Sequence, residues 1–427
     1  MSQSYQYILK KISAMSHRLH SGLTKMLAFL ATFLLSINAM AGFSVSGTQL
    51  LDGNGQPFVM RGMNHPHAWY LGETSAFSNI AATGANTVRV VLSNGDRWTR
   101  NSKADVANVI ALCKQAQLIC LLEVHDVTGS GEESAAGTMA RAAQYWVDIK
   151  GALKGQEDYV LINIANEPMG NGPAPSRWVN EQSAAIRTLR AAGLTHTLVI
   201  DAANWGQDWQ NIMLDNASQV AQADSLSNTI FSVHMYEVYQ NYNRINNYVT
   251  GFLTNHNLPL IVGEFGQDHQ GQFVDANAIM RVAQEQGIGY LGWSWSGNGS
   301  CCVALDIVNN FNPKSLTPWG RRLINGTHGI AKTSVKASVY NGVTLPASSS
   351  SAESSGSSSS SMASSSAAAS SSSGNCAQQC QWYSDAPRPL CTTQSTDWGW
   401  ENNQSCIGRT LCQTGQQGNG GIVRVCN

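Results

Sequence analysis

Between residues 43 and 340, short apolar runs rich in β-forming side chains recur roughly every 30 to 40 residues, with amphipathic stretches between them, the pattern of repeated βα units. The runs are "PFVMRGMN", "NTVRVVL", "ICLLEVHD", "VLINIANE", "TLVIDAAN", "TIFSVHMY", "PLIVGEFG" and "GYLGWSWS". Between the second and third, "ADVANVIALCKQAQ" sets Val106, Val109, Ile110 and Cys113 on one helical face, as a crossover helix requires. Ahead of the first run, "FSVSGTQLLDGNGQPFVM" places Asp-Gly-Asn-Gly between alternating segments and predicts a hairpin closing a barrel floor. Eight such units predict an α/β fold of the (β/α)₈ barrel type, whose chemistry sits at the carboxyl ends of the strands.

The flanks follow other patterns. Residues 1–41 carry scattered basic residues (Lys10, Lys11, Arg18, Lys25), the run "MLAFLATFLLSI" and the triplet Ala39, Met40, Ala41. That order predicts a secretory signal with cleavage near Gly42 and hence an extracellular protein. A retained anchor is the alternative, for which the run is short. Residues 346–374 are almost all serine and alanine and cannot bury enough apolar surface to offset their ordering entropy, so a flexible tether is expected between a catalytic domain at 42–345 and a module at 375–427. Six of the ten cysteines, Cys376, Cys380, Cys391, Cys406, Cys412 and Cys426, crowd that last module, which implies a small disulfide-rich β fold. A zinc site is the rival reading, but no histidine accompanies them.

A hydrophobic content of 43% with 39 glycines describes globular material with many turns. The net charge of −1 supplies no long-range field for nucleic acid or anionic membrane, so neither is an expected partner. A neutral substrate fits better, and a monomer is expected.

The strand ends change the picture. They hold Asn64 and His65, Arg89, His125 and Asp126, Asn166 and Glu167, Asn204 and Trp205, His234 and Tyr236, Glu264, and Trp293 and Trp295. Singly, each is readily a local hydrogen-bonder; together they form a polar and aromatic ring at one rim. Glu167 on the fourth strand and Glu264 on the seventh face each other across the mouth. Retaining glycosidases hold such carboxyls about 5 to 5.5 Å apart, and inverting ones about 6.5 to 9.5 Å apart. Arg89 is the cation that would keep Glu264 ionised, with Tyr236 donating to the same carboxylate, which makes Glu264 the better nucleophile. Glu167 is then the acid and base, Asn166 a contact to the sugar 2-hydroxyl, and Pro168 a stiffener of the turn. This chemistry asks for no metal or organic cofactor.

At this point the chain resembles glycoside hydrolase family 5. The likeness covers residues 43–340 through Arg89 in "VRVVL", His125 in "LEVHD", Asn166 and Glu167 in "NIANEP", His234 and Tyr236 in "SVHMYE", Glu264 in "VGEFG" and Trp293 in "LGWSWSGN". The resemblance implies that Glu167 is the acid/base and Glu264 the nucleophile. It also implies that Arg89, His125, Asn166, His234 and Tyr236 surround the −1 sugar, and that Trp293 is its stacking platform. "RGMNHPHAWY", "DAANWGQD" and neighbouring motifs resemble the bacterial β-mannanase branch. That branch implies β-mannan, glucomannan or galactomannan as substrate. His65 joins the substrate-binding set; Trp205, Trp295 and Trp98 are expected at other subsites, with packing in the helical layer the alternative for each tryptophan. The adjacent Cys301 and Cys302 follow no general family pattern; they would bond to each other, stay free or bridge elsewhere, while Cys113 and Cys120 would pair or stay as buried core thiols.

In the tail, "CQWYSDAPRPLC" followed by "TDWGWENNQSCIGRTLC" resembles carbohydrate-binding module family 10. Trp398 and Trp400 stand two apart, on one face of a strand. The resemblance implies a planar aromatic surface of Tyr383, Trp398 and Trp400, with Trp382 beside them, that binds crystalline cellulose. The expected protein is thus a secreted endo-acting β-1,4-mannan hydrolase working by retention. A β-1,4-glucanase is the alternative within the class, and a non-catalytic carbohydrate-binding protein the alternative outside it.

Overall fold

The computed structural model describes residues 42–341 and, in the tail, 376–382, 387–393, 395, 398–401, 404–414 and 420–426. The expected leader at 1–41 and the expected tether at 346–374 lie outside the described residues. Two compact units part near residue 347.

In the first unit the eight apolar runs become eight strands: β1 Arg61–His65, β2 Thr87–Leu92, β3 Ile119–Val124, β4 Val160–Asn163, β5 Leu198–Asp201, β6 Thr229–Met235, β7 Leu260–Phe265 and β8 Gly289–Gly292. Each pairs in parallel with the next, and β8 pairs with both β7 and β1, closing the barrel. A helix follows every strand: α1 Ala76–Ala82, α2 Lys103–Gln115, α3 Met139–Asp148, α4 Pro175–Ala191, α5 Ile212–Ala221, α6 Tyr242–His256, α7 Ala276–Glu285 and α8 Pro318–Asn325. The helix α2 buries Val106, Val109, Ile110 and Cys113, the face its spacing predicted. It starts where Ser102 caps the backbone N–H of Asp105.

The floor is a meander rather than a single hairpin at Asp-Gly-Asn-Gly. Ser44–Ser46 pairs with Gln49–Leu51 around Gly47, which has a φ of +56°. The predicted Asp52–Gly55 turn makes the next reversal, Asp52 N–H donating to Gln56 O at 2.8 Å and Leu51 bridging Pro57. Phe43, Leu50 and Phe58 of this meander plug the barrel against Leu121, Leu161, Val199, Ile230, Ile261 and Leu291, which fill its lower interior.

Two residues further along, the inward positions change character: Leu121 gives way to Glu123, Leu161 to Asn163, Val199 to Asp201 and Ile230 to Ser232, then His234. The period-2 alternation of strands thus stacks a dry layer beneath a polar one. Between β6 and β7 the register slips at Val233/His234, so that His234 pairs with Glu264 and Gly263 is the extra residue. Only glycine fits there, because a Cβ on Gly263 would meet Ser232 Oγ at 2.2 Å.

The tail unit contains β9 Cys376–Trp382, β10 Arg388–Pro389, β11 Trp398–Glu401, β12 Gln404–Ile407, α9 Arg409–Thr414 and β13 Gly420–Cys426. Disulfides join Cys380 to Cys412 and Cys391 to Cys406. In the antiparallel pairing of β9 with β13, Cys376 stands opposite Cys426. So small a unit, whose buried cluster centres on Cys380, Ile407 and Cys412, relies on such links. Trp398 and Trp400 both belong to β11, but Tyr383 and the rings of Trp382, Trp398 and Trp400 lie outside the described residues.

Candidate active site

The polar layer is organised around Arg89, the third residue of β2, fully buried and facing inward. Its Nη1 donates to Glu264 Oε1 at 2.7 Å and Asn64 Oδ1 at 2.9 Å. Its Nη2 donates to Asn163 Oδ1 at 2.8 Å, Asn166 Oδ1 at 2.7 Å and Asp201 Oδ2 at 3.3 Å. Burial alone would lower its pKa; the carboxylates of Glu123, Glu264 and Asp201 outweigh that and hold the guanidinium charged.

Glu264 ends β7 with both oxygens occupied, Oε1 by Arg89 and Oε2 by the Tyr236 hydroxyl at 2.9 Å. Glu167 lies past the end of β4 in left-handed backbone, with a φ of +37°. Its own N–H donates to Asp201 Oδ2 at 3.2 Å, its carbonyl accepts from Gly129 N–H at 3.0 Å, and Asn166 N–H donates to Val124 O at 2.8 Å. Backbone disfavoured for a glutamate is thus pinned on three sides, as strained functional positions must be.

His234 joins the two carboxylates. Its Nδ1 lies 2.8 Å from Glu167 Oε1 and 3.7 Å from Glu264 Oε2, and its Nε2 lies 3.3 Å from Asp201 Oδ2, off the line of a hydrogen bond. One oxygen of each glutamate and a ring nitrogen of His234 all fall within 4.8 Å of one another. Burial would strip His234 of its proton, but Glu264, Asp201 and the hydrogen bond to Glu167 carry its pKa up to about 10. Glu167 is raised above the ordinary carboxyl range, first by burial and then by the charge of Glu264, against the lowering contact of His234. The two glutamates therefore sit in different environments, Glu264 between Arg89 and the Tyr236 hydroxyl and Glu167 against His234.

The same three donors are close enough to compete for a metal ion, but Arg89 and a charged His234 already supply the positive charge there. The other compact donor set among the described residues, Cys391, Glu401 and Cys406, has both sulfurs tied in one disulfide.

His125 Nδ1 meets Glu123 Oε1 at 2.9 Å, and its ring lies 5.6 Å from that of Trp293 at an interplanar angle of 27°. Although burial opposes it, the Glu123 carboxylate raises the His125 pKa. Asn166 is anchored by Arg89 on its oxygen and donates to Thr128 Oγ1 at 2.9 Å. Arg89, His125, Asn166, Glu167, His234, Tyr236, Glu264 and Trp293 are thus brought together in one constellation.

Two adjoining hollows share Glu167, Tyr236 and His269. The first also has Trp69, Tyr70, His125, Glu264 and Trp293 in its lining. The second has Asn171, Trp205, Gln207, Trp209 and Glu237. Within this second lining Trp205 Nε1 donates to Glu132 Oε2 at 2.7 Å.

His65 and Trp295 are not brought to the cleft. Outward parity on β1, shared with Arg61 and Met63, turns His65 against Phe77 of α1, with ring centroids 5.2 Å apart. There burial, with the nearby His67, presses its pKa down to about 3 and leaves it neutral. Trp295 is fully buried where the chain leaves β8, its backbone N–H donating to Asn64 O at 2.8 Å. Trp98 stacks edge-on with Trp69, at 5.2 Å, behind His125.

Sequence reasoning missed Asp201, Asn163 and Glu123, although the period-2 step from apolar to polar along β3, β4 and β5 marks them. It also missed Trp69, Trp209 and the pair Glu237 and His269, which lie in the connections that follow the barrel strands. Glu237 Oε2 meets His269 Nδ1 at 2.6 Å; burial opposes its ionisation, yet hydrogen bonds from His269 and Gln207 hold its pKa down to about 2.

Residues 51–299 match the family described as cellulase (glycosyl hydrolase family 5). The chain belongs to glycosyl hydrolase family 5. A second match, to a cellulose or protein binding domain, covers residues 379–408 of the tail. Among family 5 relatives, a mannan endo-1,4-beta-mannosidase of Cellvibrio japonicus is 52% identical over 89% of this chain and 83% of its own. One from Streptomyces lividans is 50% identical over 71% of this chain and 79% of its own. A solved mannohexaose complex of the Thermomonospora fusca β-mannanase superposes with a TM-score of 0.68 at 52% identity, over 70% of this chain and all of that one.

Proposed function

We propose that this family 5 protein is a mannan endo-1,4-β-mannosidase that cleaves with retention, is secreted, and is held on plant cell wall by its tail module. One observation carries the mechanism: a carboxylate oxygen of Glu167 and one of Glu264 lie within 4.8 Å of each other, close to the retaining spacing of about 5 to 5.5 Å and too near for the inverting one of about 6.5 to 9.5 Å. The mannan preference is supported by relatives at 50–52% identity that bear that name and by the mannohexaose complex of a similar enzyme.

Glu264, ionised beside Arg89 and Tyr236, attacks the anomeric carbon. The glycosidic C–O bond breaks while a bond to a Glu264 oxygen forms, and Glu167 gives its proton to the leaving oxygen. Esterification removes the Glu264 charge, so the repulsion that adds to burial in raising the Glu167 pKa disappears. Glu167 is then the base that takes a proton from water as water displaces Glu264, and two inversions give net retention. Asn166, its oxygen fixed by Arg89, turns its amide N–H toward the sugar bound at this point.

Because Glu264 lines only the first hollow while Glu167 lines both, the first holds the glycone sugars and the second the leaving chain. Trp293 is the platform of the glycone side; Trp205 and Trp209 serve the other. The leader at 1–41 directs export, and the tail adds residence on cellulose, raising local concentration near the mannan that coats it.

The test is reducing-sugar release from linear mannan, glucomannan and carboxymethyl-cellulose, with Glu264→Ala alongside. The expected outcome is release from the mannans, loss of about 10⁴-fold or more in the variant, and rescue by azide as a glycosyl azide of inverted configuration. Undiminished hydrolysis by the variant would remove the assignment. Removing residues 374–427 should abolish retention on microcrystalline cellulose and leave soluble mannan hydrolysis intact.

A further inference from the structure

Cys301 and Cys302 are bonded to each other and both line the glycone hollow, Cys301 exposed and Cys302 half-buried, alongside Trp69, Trp293 and Leu305. A cross-link between chain neighbours removes little entropy from an unfolded chain, since stabilisation of that kind grows with the length of the closed loop. Nor does the surrounding loop need it. Asn298 N–H and Nδ2 both donate to Asp306 Oδ1, at 3.0 and 2.7 Å, and Asn298 Oδ1 accepts from the indole of Trp293 at 2.9 Å. Cys302 N–H donates to Gly299 O at 2.8 Å, and Leu305 N–H to Cys302 O at 2.9 Å. What the bond does change is the surface. Two thiols, each a weak donor and acceptor, become one polarizable group with no hydrogen to donate, fixed beside the sugar platform.

We propose that the Cys301–Cys302 disulfide is an apolar wall of the glycone arm, against which the C–H face of a mannosyl unit beyond the cleavage point rests. The inference rests on the glycosidase reading of this cleft. The wall is redox-dependent: reduction by a phosphine adds two electrons and two protons to give two thiols, while the phosphine takes oxygen from water to become its oxide. In the dithiol the ring is open and the side chains turn independently.

The experiment uses the full chain and soluble mannotetraose and mannohexaose, which keep the tail's own disulfides out of the measurement. Cys301→Ser with Cys302→Ser should raise KM about five- to tenfold and leave kcat within about twofold, the split expected when uniform binding to an apolar surface is lost. Phosphine should raise the KM of the native protein to the same extent and leave the double variant unmoved. The pair Cys301→Ala with Cys302→Ala, checked for native thermal unfolding, repeats the measurement with apolar replacements. A native enzyme that hydrolyses mannan while the folded variants keep its KM overturns the wall and leaves the glycosidase reading standing. A phosphine effect of equal size in the double variant overturns it as well, and a native protein idle on every mannan overturns both readings.

Discussion

Two arginines on neighbouring strands are both buried, yet they belong to different regions of the barrel. Arg61 opens β1 and points outward, its Nη1 donating to the carbonyls of Met60 at 3.0 Å and Ile288 at 2.8 Å, its Nη2 to Gln284 at 2.8 Å and its Nε to Thr333 at 3.1 Å. Among the described residues no carboxylate pairs with it, and burial lowers its pKa to about 10. Arg89, inside the polar layer, has three carboxylates within 3.8 Å and is raised instead. The lesson is that burial does not define the task of a buried cation; its acceptors do. Arg61 ties β1 to β8 and the helical layer by satisfying backbone oxygens, whereas Arg89 fixes the position and charge of groups that meet substrate.

That contrast is sharpened first by Arg89→Lys, which keeps the charge and loses the planar fork reaching Glu264, Asn163 and Asn166 together. The expected result is a fall in kcat/KM of about 10²- to 10³-fold with the fold retained by circular dichroism. A loss no larger than that in Arg61→Lys would erase the distinction. Next is Asp201→Asn. This carboxylate touches neither hollow; it holds Glu167 N–H, Arg89 and the far side of His234. Its neutralisation should lower kcat about 10- to 100-fold through misplacement of the pair. It should also bring the His234 pKa below about 10, read by ¹⁵N-resolved imidazole titration. An unmoved titration would show that Asp201 acts on neither.

Arg61→Met is expected to leave kcat unchanged and cost about 1 to 3 kcal/mol in urea unfolding, because the carbonyls of Met60 and Ile288 lose their donor. The remaining effect comes from pH. His234 has a folded pKa of about 10 against an ordinary value of 6.5. Its stabilising contribution is full below pH 6.5 and is lost as pH rises through about 10. The thermal midpoint of the native protein should therefore decline over that window, and the decline should shrink in His234→Gln.

Much of this was legible in the chain. Eight apolar runs gave eight strands, and the four residues named on α2 are its buried face. Glu167 and Glu264 were marked by their places at strand ends, and Arg89 by being a charge within an apolar run. Less legible were residues whose meaning depends on parity or on loops. His65 and Asn64 are neighbours, but one faces a helix and the other the barrel interior. Trp295 shares the inward parity of Trp293, yet the chain turns away between them.

By itself the sequence determined the repeated βα pattern, the cysteine-dense tail and the placing of a glutamate at or just past the fourth and seventh strand ends, since each depends on local composition or period. Only the tertiary structure decided that these glutamates share one histidine, that Asp201 stands behind it, and that Cys301 and Cys302 face the glycone hollow. Distances across a closed barrel depend on strand register, on one bulge at Gly263 and on loops of differing length. None of these has a counterpart in the spacing of residues along the chain.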